Sequence, residues 1–128
     1  MSPERAAGIL LHPTSLPGPH GSGDLGQEAH RFVDWLASAG QRLWQMLPIG
    51  EIGAGNSPYM SPSSFAGNVL LIDLHRLAQQ GWLAPEQLQP VPGLQEGRVD
   101  YAQVRAFRMQ RLYQASVRFF AQPADARR

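Results

Sequence analysis

The chain has 128 residues, 43% of them apolar, and a formal net charge of +1, so it can bury the core of one ordinary domain and is too apolar to be disordered. A charge this close to zero gives no general pull on nucleic acid or on an acidic membrane, and neither is expected as a partner. All eleven basic residues are Arg; without Lys there is no phosphate-cradling P-loop and no Schiff base, and without Cys there is no disulfide framework or thiolate metal site.

No apolar run reaches the roughly 18 residues of a membrane span, and MSPERAAGILLHP is too short and too mixed for a signal peptide. A cytoplasmic protein is expected. Residues 6–11, AAGILL, read as a strand buried on both faces and end at His12-Pro13. After a Gly/Pro loop, GDLGQEAHRFVDWLASAG reads as a helix. Asp24 is its expected N-cap, with Gln27 in capping-box position. Ala29, Phe32, Val33 and Leu36 form its apolar stripe, and Gly40 stops it. RLWQMLPIG, residues 42–50, reads as a second buried strand. Strand, helix and strand with short links predict a βαβ unit with parallel strands.

The loops after both strands then share one edge of the sheet, the carboxyl edge where α/β folds bind ligands. Those loops are HPTSLPGPHGSG and EIGAGNSPYMSPSSFAGN. Beyond them, VLLIDL is either a short strand or the approach to a helix. Asp73 can cap LHRLAQQ, which Gly81 ends. Residues 84–98 carry three prolines and two glycines and read as a loop, with a turn of helix from Pro85. A longer helix is predicted from Asp100 to about Phe120. Its apolar side is read as Ala102, Ala106, Met109, Leu112, Tyr113, Val117 and Phe120, with Arg108, Arg111 and Arg118 on a solvated side. The tail QPADARR reads as frayed.

GSGDLG, residues 21–26, matches the dinucleotide fingerprint G-x-G-x-x-G. In that fingerprint the first glycine follows the strand almost directly, whereas here His12 to His20 intervene. Asp24 also places negative charge where phosphates would sit, so a plain loop before a helix is favoured. The four histidines (12, 20, 30 and 75) lack metal-ligand spacing. His12 could face a ligand, but a structural role in the strand-end turn fits better. Asn56, Ser57 and Tyr59 differ: an aromatic plane flanked by hydroxyls and an amide suits a sugar, which offers apolar C–H faces and polar edges. A structured turn with no ligand is the plain alternative.

GILLHPTSLPGPHGSGDLG, then LWQMLPIG, then NSPYMSPSSFAGNVLLIDL closely resembles the N-terminal part of bacterial 4-alpha-glucanotransferases, the amylomaltases of glycoside hydrolase family 77. The resemblance is strong over about residues 6–83 and looser at VDYAQVRAF. It implies an α/β fold, the N-terminal portion of a (β/α)8 TIM-type barrel that is incomplete in this chain. Residues 1–83 would be the first βαβ unit with its glucan-contacting loops, and residues 84–128 the start of an inserted subdomain.

The implied activity is transfer of alpha-1,4-glucan segments to an acceptor glucan or glucose, by retaining double displacement and without a cofactor or metal. Such chemistry uses two carboxyl groups roughly 5–5.5 Å apart. The family's catalytic carboxylates lie on later strands, and the acids here do not replace them: Asp24, Glu28 and Asp34 belong to the first helix, Asp73 looks like a cap, and Glu51 stands alone in a loop. By matching position, Ser57 and Tyr59, with Asn56 beside them, resemble residues lining the donor-sugar site. Tyr101 matches a segment linked to an accessory glucan contact. The chain is therefore expected to be an N-terminal fragment, inactive alone, with an open sheet edge that favours weak stability or aggregation. The alternative is a stand-alone maltodextrin-binding or regulatory module.

Overall fold

Strand, helix and strand come in the expected order in the structure, a computed structural model that describes residues 5–94 and 97–127. β1 (Gly8–Leu10) and β2 (Leu43–Gln45) pair in parallel, with Ile9 opposite Trp44. α1 (Gln27–Ser38) lies between them in the chain and ends at Gly40, whose φ of +70° is the left-handed stop that glycine tolerates. Phe32 of α1 meets Trp44 edge-on at 4.9 Å, which seats the helix against the strand pair.

Two local expectations are corrected here. The N-cap of α1 is Gly26, not Asp24, and Gln27 is the first helical residue rather than the partner in a capping box. The Asp24 carboxylate instead accepts from the Gly26 N–H at 2.9 Å and from the Arg108 guanidinium at 2.7 Å. The strands are also not buried on both faces: Leu10 and Leu43 are each 58% exposed. Side chains alternate along a strand. Ile9 and Trp44 share the half-buried face toward α1, while the opposite face, with Leu10 and Leu43, is largely open. Val33, placed on the apolar stripe of α1, is exposed.

VLLIDL resolves as the approach to a helix. A 3-10 turn over Val69–Leu71 is capped by Asn68, which accepts from the Leu70 N–H at 2.9 Å. Asp73 caps α2 (Leu74–Gln79) by accepting from the His75 N–H, and Gly81 follows in the left-handed region. A 3-10 turn spans Pro85–Leu88, and α3 (Tyr101–Ala121) begins at Asp100, whose side chain accepts from the Ala102 and Gln103 N–H groups. The tail, read as frayed, forms a 3-10 turn over Ala124–Arg127. No helix among the described residues is long and apolar enough to cross a membrane.

The buried face of α3 is nearly the reverse of the one expected. Val104, Phe107, Arg108 and Ala115 are buried, and with Leu74, Leu83 and Leu94 the apolar members close the main hydrophobic cluster. Of the expected apolar side only Leu112 packs against that cluster; Met109, Tyr113, Val117 and Phe120 are exposed. The cause is Arg108. Its side chain is fully buried, donating to the carbonyls of Ile72 (3.0 Å) and Ser22 (3.3 Å) as well as to Asp24. A guanidinium with fixed partners in three directions can be buried where a solvated one could not. Arg111 is half-buried, its guanidinium lying over the Phe107 ring, while Arg118 is exposed as expected.

His20 contacts the same ring. It is fully buried and stacks on Phe107 at 5.3 Å. Its Nε2–H donates to the Leu88 carbonyl at 3.0 Å, and Nδ1 has no partner among the described residues. Burial is the main cause that lowers the His20 pKa; Arg108 and His75 add to it, and the Leu88 carbonyl and Asp24 oppose it. The unfolded chain therefore binds a proton more readily, so this contribution to stability is complete above pH 6.5 and is lost as pH falls through and below that value. Burial moves His12 the same way. The urea midpoint should drop between pH 7.5 and 5.5, and His20→Phe, which keeps an aromatic ring against Phe107, should flatten that dependence. An equal slope in the variant would assign the effect elsewhere.

Candidate functional site

Parallel pairing puts the loops that follow β1 and β2 at the same end of the strands, and the second loop builds a cleft there. Gly50 and Gly67 form an antiparallel bridge, and the Asn68 N–H donates to the Ile49 carbonyl at 2.9 Å, so residues 50–67 leave and return at one point. Inside the loop the backbone folds on itself. The Gly53 N–H reaches the Ser57 carbonyl at 3.3 Å, and the Asn56 N–H reaches the Gly53 carbonyl at 3.2 Å. Asn56 sits at φ +58°, a left-handed conformation that Asn accepts more readily than most residues. Ser57 then caps a 3-10 turn over Pro58–Met60, its Oγ accepting from the Tyr59 N–H at 3.3 Å.

The outcome is a presented ring: Tyr59 is 70% exposed on a turn pinned by Pro58 and by its own serine cap. It lines a cleft of about 560 Å³ with Ser61, Ser63, Ser64 and Phe65, floored by Ile49 and Gly50. Serines organise the far wall as well. Ser61 Oγ donates to the Ser63 carbonyl at 2.8 Å, and Ser63 Oγ accepts from the N–H groups of Phe65 and Ala66, each at 3.2 Å. Phe65 is completely exposed.

Of the residues selected from the sequence, Ser57 and Tyr59 are brought together, with Asn56 as the exposed neighbour that shapes their turn. Asn56 and Ser57 are not among the residues lining the cleft. Tyr101 stands apart at the start of α3, where its hydroxyl donates to Thr14 Oγ1 at 3.4 Å in the loop after β1. Ser61, Ser63 and Phe65 went unselected. Their signal was available in SPSSF, where a serine two residues before an aromatic can cap the turn that displays it.

Among the described residues, no Asp or Glu lines the cleft. Glu51, read as standing alone, is paired with Arg105 at 3.3 Å, Asp24 is held by Arg108, and Asp73 and Asp100 cap helices. No group of His, Asp and Glu suited to a metal occurs among the described residues. GSGDLG is committed to structure too: Asp24 is neutralised by Arg108, and a Cβ on Gly26 would touch the Asp73 carboxylate at 2.8 Å, which leaves negative charge where a pyrophosphate would have to sit. The cleft can hold a polar ligand with an apolar face. Among the described residues it has no acid or base of its own.

Comparison with known proteins gives the same direction. The 4-alpha-glucanotransferase profile of glycoside hydrolase family 77 matches residues 11–128. A 4-alpha-glucanotransferase from Synechocystis sp. is 50% identical over 119 residues, which are 93% of this chain and 24% of that protein. The enzyme of the same name from Thermus thermophilus is 52% identical over 111 residues, 87% of this chain and 21% of its own length. Among solved structures, amylomaltase from Streptococcus agalactiae in complex with acarbose superposes with a TM-score of 0.84 at 39% identity, covering 93% of this chain and 24% of the other. The chain thus spans about a quarter of the length of these relatives. A match over nearly all of its residues, in sequence and in structure, places it in the 4-alpha-glucanotransferase family.

Proposed function

We propose that this chain supplies part of the donor-sugar surface of a 4-alpha-glucanotransferase, an enzyme that moves alpha-1,4-glucan segments to an acceptor glucan or glucose. Residues 1–83 would be the first βαβ unit of a (β/α)8 barrel, and residues 84–128 the start of an inserted subdomain. The observation that carries the reading is Tyr59: an exposed ring on a rigid turn, above a serine-lined cleft, beyond the carboxyl ends of a parallel strand pair. An aromatic plane meets the apolar face of a glucosyl ring, while the serine hydroxyls of the cleft meet its edges; Ser57 and Asn56, beside the cleft, would contact the same glucan where it runs past Tyr59. Tyr101 would make an accessory glucan contact.

In a retaining transfer, one carboxylate attacks the anomeric carbon and a second carboxylic acid protonates the departing oxygen; that second group, now a base, then takes the proton of the acceptor hydroxyl as its oxygen displaces the enzyme carboxylate. This chain's part is binding and orientation, because no carboxylate among the described residues lines its cleft. The purified chain, holding only part of a donor surface, should therefore bind maltoheptaose weakly in a calorimetric titration and leave maltotriose unconverted to glucose and longer maltodextrins. Tyr59→Ala should weaken that binding by up to about tenfold, since a contact on an aromatic face contributes on the order of 0.5–1.5 kcal/mol beyond the area it buries. Equal affinity in the variant would sink the assignment of Tyr59. Tight binding without turnover, by a stably folded monomer, would favour the stand-alone maltodextrin module.

A further inference from the structure

α3 touches both of the loops that follow the strands, and it does so with one stripe of side chains. Tyr101, Arg105 and Arg108 are spaced i, i+4 and i+7, which places them on the same side of a helix. Tyr101 donates to Thr14 in the first loop; Arg108 holds Ser22 and Asp24 further along that loop and the Ile72 carbonyl ahead of α2. Between them, Arg105 reaches across to Glu51 at 3.3 Å, at the root of the second loop.

We propose that α3 is the brace that holds the two ligand-side loops in register, and that Arg105 with Glu51 is the positioning pair for the Tyr59 turn. The route from the pair to the ring is short and continuous. Glu51 precedes buried Ile52; Gly53 follows, exchanging backbone hydrogen bonds with Asn56 and Ser57; and Ser57 caps the turn that carries Tyr59. Gly53 is also pressed against the Met60 carbonyl, so a shift at its position is passed on to the turn. Arg105 and Glu51 are 45% and 44% exposed, so the pair can be broken without stranding a charge in the core. Arg108, buried against Asp24, does not offer that separation.

The pair's effect on glucan affinity rests on the proposed function, whereas its effect on loop order does not. Amide hydrogen exchange across residues 50–60 and maltoheptaose titration are therefore measured together in the wild-type chain, Arg105→Ala, Glu51→Gln, the double variant and Arg105→Lys. The brace predicts several-fold faster exchange in both single variants and a loss of affinity of up to about fivefold, the range of an exposed ion pair. The double variant should be no worse than either single one, and Arg105→Lys should restore most of both readouts, with an unchanged thermal midpoint throughout. Unchanged exchange in Arg105→Ala, or single effects that simply add, would overturn the brace. Failure of the wild-type chain to bind maltoheptaose would count against the proposed function, and the exchange measurements would still decide the brace.

Discussion

Arg108→Met is expected to lower the unfolding free energy by about 3–5 kcal/mol, because it removes the guanidinium bonded to the Asp24 carboxylate and strands a charge that is only 16% exposed in the wild-type chain. Methionine can fill the space but donates nothing, so the Ile72 and Ser22 carbonyls lose a partner as well. Against a total stability on the order of 5–15 kcal/mol, such a loss leaves a large unfolded fraction at ambient temperature. Urea denaturation followed by far-UV circular dichroism reads it directly. Asp24→Asn with Arg108→Met should recover part of the loss, since the stranded charge goes with it. If Arg108→Met unfolds at the wild-type midpoint, Arg108 is not the bolt that joins α3 to the first loop.

Gly53→Ala should disable the sugar-facing turn while sparing the core. A methyl group at this position would stand 2.0 Å from the Met60 carbonyl oxygen, and the obstacle is backbone, which no rotamer change can clear. The turn must open, and with it go the Gly53–Ser57 hydrogen bond and the alignment of Tyr59. Overpacking of this kind costs about 1–3 kcal/mol locally. The main cluster draws on none of these residues, so the thermal midpoint should move little. Maltoheptaose affinity should fall about tenfold or more, the equivalent of 1.4 kcal/mol. Near-native affinity in Gly53→Ala would mean that the turn does not order the binding surface.

Much of this arrangement was legible in the sequence, for reasons that are local. The order of strand, helix and strand follows from two short apolar runs separated by a periodic segment. Asp73 and Asp100 declare their caps because an Asx side chain satisfies helix N–H groups two or three residues on, whatever else the fold does. What stayed hidden depends on partners far along the chain. Arg108 looked like a solvated charge because its carboxylate lies 84 positions away, and Glu51 looked solitary because Arg105 lies 54 away. Once Arg108 turns inward, the helix rotates its other apolar arc outward, which is why Met109, Tyr113 and Val117 end exposed. Asp24 misled for a related reason: a carboxylate just ahead of a helix reads as a cap until a buried cation claims it.

The site divides along the same line. Ser57 and Tyr59 could be selected from composition and resemblance, and their turn is held by bonds within a few residues of itself. The far wall, with Ser61, Ser63 and Phe65, closes only because Gly50 and Gly67 meet across the loop.

Successive members of the main hydrophobic cluster, Leu74, Leu83, Leu94, Val104, Phe107 and Ala115, lie at most 11 positions apart, whereas pairing Gly8 with Leu43 joins positions 35 apart through a parallel crossover. Nearby contacts form faster than distant ones. The helical half is thus expected to consolidate early and to serve as the platform onto which the strand pair later docks, with His20 and Asp24 as the latches that close last. A chain built this way is assembled from its far half backward, opposite to the direction in which it leaves the ribosome.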